Sequence, residues 1–278
     1  MVRSINTGVV LGAAFCMQLS LSGVAHAEGP AVSGLNGKIE AAAGAADGGG
    51  DTHYRVGGSV TLPLGRDWGL QADGSYQDYG QTAGAGAVHL FTRDPDRYLF
   101  GATVSGVQSD AATLGAIGAE GELYLGRFTL DGWAGYGSLD YDETVAPDKD
   151  GGFAMVGAGY YPTDDLRLGL GAASVFGADS VNFGAEYQFA SLPLSFTFDA
   201  RVDEDGEASG LAGLRFYFGG ERKTLIQRHR QDDPRDRGFD LFAAAGRQAL
   251  ERPAVASDFT SQGACEAAGF TWTAEHCT

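Results

Sequence analysis

The chain has 278 residues, of which 44 are glycine, about 16% where an ordinary protein has roughly 7%. With 44% hydrophobic and 20% charged residues it is not a disordered chain, and it lacks the repeated runs of roughly 20 apolar residues that a helical membrane protein needs. A formal charge of -17, from 19 Lys plus Arg against 36 Asp plus Glu, argues against nucleic acid and anionic lipid surfaces as partners and suits cations.

The N-terminus reads as a secretory signal over residues 1–27. Arg3 supplies the positive start, residues 8–24 are mostly apolar, and Ala25-His26-Ala27 has the small-x-small form of a cleavage site. The mature chain is expected to begin at Glu28. The two cysteines beyond that point, Cys265 and Cys277, then meet an oxidising compartment.

From residue 35 to residue 218 the hydrophobic period is two. Leu194, Phe196, Phe198, Ala200 and Val202 alternate with Ser195, Thr197, Asp199, Arg201 and Asp203, and the same pattern recurs at 181–189 and 68–77. Segmentation at Gly, Pro and Asp clusters predicts about twelve strands, near 34–46, 53–63, 67–79, 82–92, 97–108, 112–125, 127–139, 152–161, 166–176, 180–190, 193–203 and 208–218. Twelve is even, as a closed bacterial membrane barrel requires, and the strand lengths fit a tilted crossing. The connections alternate between a tight, often basic set, including Gly65-Arg66-Asp67 and Gly126-Arg127, and a Gly-rich or acidic set. The first set reads as periplasmic turns and the second as outer loops. Tyr54, Trp68, Tyr98, Phe100, Phe128, Tyr187, Phe189, Phe216 and Phe218 lie near strand ends on the apolar face, as interfacial girdles do.

An export signal, about twelve amphipathic strands, short Pro and Arg turns, and a last strand with Ala212, Leu214, Phe216 and Phe218 on one face together resemble the Gram-negative outer-membrane β-barrel (porin-like) class. The resemblance is architectural and covers residues 35–220. It implies an all-β fold: a closed antiparallel transmembrane β-barrel over 28–220 in the outer membrane, in contact with outer-membrane lipid and lipopolysaccharide.

The polar face supplies the candidate lumen: Lys38, Glu40, Arg55, Asp73, His89, Glu120, Glu122, Asp131, Arg167, Glu186, Asp199, Arg201 and Arg215. Charges at mid-strand need water or partners. Two readings follow: a narrow pore for small cations or solutes, or a structural barrel closed by Arg and Asp or Glu pairs. An outer-rim cluster of Asp140, Asp142, Glu143, Asp148, Asp150, Asp203, Glu204, Asp205 and Glu207 would concentrate cations at a pore mouth. An outer-membrane enzyme is disfavoured, since the two barrel histidines, His53 and His89, accompany no nucleophile motif. No residue set calls for a cofactor or a metal; Asp148-Lys149-Asp150-Gly151 opens like a calcium loop but lacks the distal Glu.

Residues 221–278 differ in composition. Asp232 to Arg237 reads as a solvated linker in which nothing needs burial, and residues 239–250 show one short amphipathic helix, either resting on the barrel or lipid or simply part of the linker. Cys265 and Cys277 are expected to close a disulfide in this tail, placed in the periplasm because an even strand count returns the chain to the side it entered from.

Overall fold

The structure is a computed structural model that describes residues 29–46, 52–78, 82–141, 148–190, 192–219, 222–245, 261–267, 271–273 and 276–277. The signal expected at 1–27 and the rim residues Asp142 and Glu143 lie outside these.

Twelve strands form the barrel: β1 (Asn36–Ala46), β2 (His53–Leu64), β3 (Trp68–Asp78), β4 (Thr82–Asp94), β5 (Tyr98–Ser109), β6 (Ala112–Leu125), β7 (Phe128–Tyr141), β8 (Lys149–Thr163), β9 (Leu166–Val175), β10 (Ala178–Gln188), β11 (Leu194–Asp203) and β12 (Ala208–Gly219). Each pairs antiparallel with its chain neighbours, and β1 pairs with β12 from Asn36↔Gly219 to Ala46↔Ser209, so the sheet closes and leaves no edge. Every predicted strand is present, with its ends displaced by three residues or fewer. Strand position is legible because alternation and turn chemistry are both local.

The outside of this cylinder is greasy. Ile39, Val60, Phe100, Val104, Ile117, Val156 and Leu170 are among a continuous set of large apolar side chains that stay exposed, with Ile117 at 63% and Leu170 at 66%. A water-soluble sandwich would bury that face against a second sheet, and no such layer exists among the described residues. The nine aromatics expected in girdles are all exposed. Their distribution is lopsided: all but Tyr54 lie towards the tight-turn end, while the opposite end carries the tyrosines Tyr54, Tyr76 and Tyr136.

Beyond the barrel come α1 (Leu225–Gln231), α2 (Arg237–Ala245), α3 (Gln262–Ala267) and a two-stranded ribbon, β13 (Trp272–Thr273) with β14 (His276–Cys277). Cys265 and Cys277 are joined by a disulfide, as expected, tying α3 to the ribbon. The solvated-linker reading of Asp232 to Arg237 is corrected. Asp232, Asp233, Arg237 and Leu241 are 0–3% exposed, because this segment folds back into the barrel and α2 packs on the inner wall against β3, β4, β5, β9 and β10.

Candidate functional site

The returning segment is seated from the tight-turn end upward. At the mouth, the β8–β9 turn meets the start of α1: the Ile226 N–H donates to the Asp164 carbonyl (3.0 Å) and the Leu225 N–H to Asp165 Oδ1 (3.2 Å). A carboxylate there satisfies donors that a helix start leaves free. Arg228 donates to Gln188 Oε1 (2.9 Å) and lies over the Tyr217 ring, and Arg230 donates to the Phe128 carbonyl (2.9 Å). His229 stands between Tyr161 Oη (2.9 Å) and Tyr217 Oη (3.3 Å), 3.5 Å from Glu186. The N-terminal stretch closes the same end: the Ser33 N–H bonds the Gln231 carbonyl, and Val32 packs with Phe91, Leu99 and Tyr124.

Above α1, Lys38 Nζ sits 2.6 Å from Asp233 and 3.0 Å from Asp236. Arg235 reaches Asp131 (3.2 Å) and Asp240 (3.0 Å).

At mid-lumen His89, fully buried, bridges Asp73 (Nε2 to Oδ2, 2.6 Å) and Glu120 (Nδ1 to Oε1, 2.9 Å). Both carboxylates also bond α2, Glu120 through its other oxygen and Asp73 through both of its oxygens. Glu120 accepts from Arg237 Nε (2.9 Å), and Asp73 accepts the backbone N–H groups of Arg237 (3.3 Å) and Gly238 (3.1 Å). Asp73 therefore caps the N-terminus of a helix 164 positions away. A Cβ on Gly238 would stand 2.8 Å from Asp73 Oδ1 and from the Gly86 backbone, so only glycine lets α2 approach β4 this closely. Arg55 lies over the Phe239 ring at 3.8 Å. Leu241, Ala244 and Ala245 then join an apolar inner-wall cluster with Val107, Leu114, Trp133, Leu139, Phe153 and Val175.

Because α2 hugs one wall, a cavity of about 740 Å³ remains between it and β10, β11, β12, β1 and β2. Its mouth carries Asp179, Asp203, Glu204, Asp205 and Glu207; its floor is formed by Glu122, Tyr161, Glu186 and His229, and among the described residues none of the tight turns lines it. Arg215 spans Glu40 and Glu186 (2.6 Å each), and Arg55 spans Glu40 (3.0 Å) and Asp199 (3.1 Å). Arg167 also lines the cavity and makes no ion pair among the described residues; its guanidinium lies beside Gly159 and Gly169, where a Cβ would meet it at 2.8–2.9 Å.

All thirteen residues predicted for the lumen face inward. Lys38, Glu40, Arg55, Glu122, Asp131, Arg167, Glu186, Asp199, Arg201 and Arg215 line the cavity, while Asp73, His89 and Glu120 are covered by α2. The described rim acids are mostly exposed: Asp140, Asp148, Asp150, Glu204, Asp205 and Glu207 face solvent, and Asp203 orders its own turn by accepting the Asp205 and Glu207 N–H groups. No three His, Cys, Asp or Glu residues converge as a metal site among the described residues. Sequence reasoning missed the tail residues Arg228, His229, Asp233, Arg235, Asp236 and Arg237. It also missed the inward apolar patch, whose signal was present: Trp133, Leu139 and Tyr141 share the parity of Asp131.

No protein-family model matches the chain, and no curated protein does. Solved structures match the fold. A KdgM porin in complex with disordered oligogalacturonate superposes with a TM-score of 0.52 at 9% identity, over 66% of this chain and 99% of that one. A NanC porin gives 0.48 at 10% identity over 64% and 98%, and a loop L8 deletion mutant of OmpT, an outer-membrane protein of Vibrio cholerae, 0.40 at 13% over 66% and 98%. The fold is therefore that of the outer-membrane β-barrels: a closed, twelve-stranded, antiparallel barrel of the porin-like class.

Proposed function

We propose that this protein is an outer-membrane pore for small solutes whose lumen is closed from the periplasmic side by its own C-terminal segment, residues 222–245. The observation that carries this is the shape of the cavity: about 740 Å³ of charged lumen reaches from the acidic rim to His229 and Tyr161 and stops at α1. A barrel of twelve strands is wide enough to enclose a narrow channel. The segment removes that channel by occupying it, and its withdrawal would restore it. The KdgM porin that shares the fold supports the pore reading.

The solutes would be cations or neutral molecules. Arg237, Arg235 and His229 now face the wall acids Glu120, Asp131 and Glu186; without them the wall keeps its carboxylates and loses three bases. The rim acids add to that field. Lipid meets the exposed apolar belt, and lipopolysaccharide phosphates are the natural partner of cations gathered at the rim.

A second reading, a permanently closed barrel without transport, is favoured by the number of buried charges that hold the segment. Planar-bilayer conductance separates the two. The full chain should conduct little and a chain truncated after Gly219 should conduct steadily; a truncated barrel that inserts and stays silent leaves the closed barrel.

A further inference from the structure

We propose that the chain crosses the outer membrane once more, through its own lumen, and presents its C-terminal residues 246–278, with the disulfide-closed unit of α3 and the β13–β14 ribbon, at the cell surface. This concerns the route of the tail and holds whether or not the lumen ever conducts.

The contacts of the tail with the wall form a succession of heights. Residues 225–230 touch the tight-turn end, at Asp164, Asp165, Phe128 and Gln188. Asp233 meets Lys38, two residues into β1, and Arg235 meets Asp131, three residues into β7. Arg237 and Gly238 meet Glu120, Asp73 and Gly86 at mid-strand. Ala244 and Ala245 share a cluster with Ala83, Ala112, Tyr141 and Val175, which stand at or one residue from the strand ends at the opposite rim. The chain thus rises without reversal from one mouth to the other, and α2, about 13 Å long at 1.5 Å per residue, covers the upper part.

Which mouth is which follows from the connections. One end is made of tight turns such as 65–67, 95–97 and 126–127 and receives both ends of the barrel chain; in bacterial barrels this is the periplasmic end. Ala245 therefore lies at the external rim, and 33 residues follow it. The fit at Gly238 and the Asp73 cap show that the passage is built for this segment.

The test is an epitope appended after Thr278, probed with antibody on intact cells and again after the outer membrane is permeabilised, beside an otherwise identical protein carrying the epitope in the 126–127 turn. The C-terminal epitope should be read on intact cells, and the turn epitope only after permeabilisation. A C-terminal epitope read only after permeabilisation, in a barrel that still shifts on a gel when boiled, overturns the proposal. Gly238→Trp, which fills the contact with Gly86, should abolish surface reading by leaving the tail in the periplasm; Arg237→Glu, facing Glu120, serves the same purpose should G238W fail to assemble. Surface reading that persists in an assembled variant would mean that the tail does not travel by the lumen. Conductance is recorded separately, so a failed pore reading leaves this result interpretable.

Discussion

Arg237 and Glu120 lie 117 positions apart, yet the guanidinium Nε donates to the carboxylate at 2.9 Å with both side chains 0–1% exposed. Glu120 is in turn held by His89, and His89 by Asp73, which caps the helix that Arg237 begins. Wall and tail thus form one buried polar unit, in which each member satisfies a charge that would be costly alone.

Arg237→Ala should loosen the tail by about 3–5 kcal/mol, because it strands a buried carboxylate. The readout is the urea concentration at which residues 222–245 become open to protease. Combining Arg237→Met with Glu120→Gln should recover much of that loss; equal loss in the single and double variants would mean that the pair contributes nothing.

Gly238→Val places side-chain atoms where Gly86 and Asp73 already stand. The tail should become protease-sensitive while the barrel keeps its shift between unheated and boiled samples. Loss of the shift as well would make the tail part of barrel assembly.

A chain ending at Gly219 retains every pair from Asn36↔Gly219 onward, so it should still insert. Under a salt gradient its reversal potential should favour cations, given the wall acids and the rim. Between residues 28 and 220 there are 10 Lys plus Arg against 27 Asp plus Glu. Anion preference would sink the argument from charge.

Serine at both Cys265 and Cys277 should leave the barrel's heat shift unchanged. The bridge closes a short loop, worth on the order of 3 kcal/mol to its own unit, and the barrel ladder is complete at Gly219.

The barrel could be read directly from the chain because a strand declares its two faces every second residue. Leu194 to Val202 announce which side meets lipid before any partner is known, and turns such as Gly126-Arg127 mark where each strand ends. The inward direction of Lys38, His89, Glu120 and Arg215 follows from the same parity. The content of the lumen had no such local mark. Asp232-Asp233-Pro234-Arg235-Asp236-Arg237 has the composition of a solvated linker, and in water it would be one. Its burial is stable only because closure of the sheet gathers Lys38, Asp73, Glu120 and Asp131 from four different strands onto one inner wall. A charged segment records its own polarity, but whether it faces water or a matching set of buried charges is decided by residues more than a hundred positions away, and only the folded barrel brings those together.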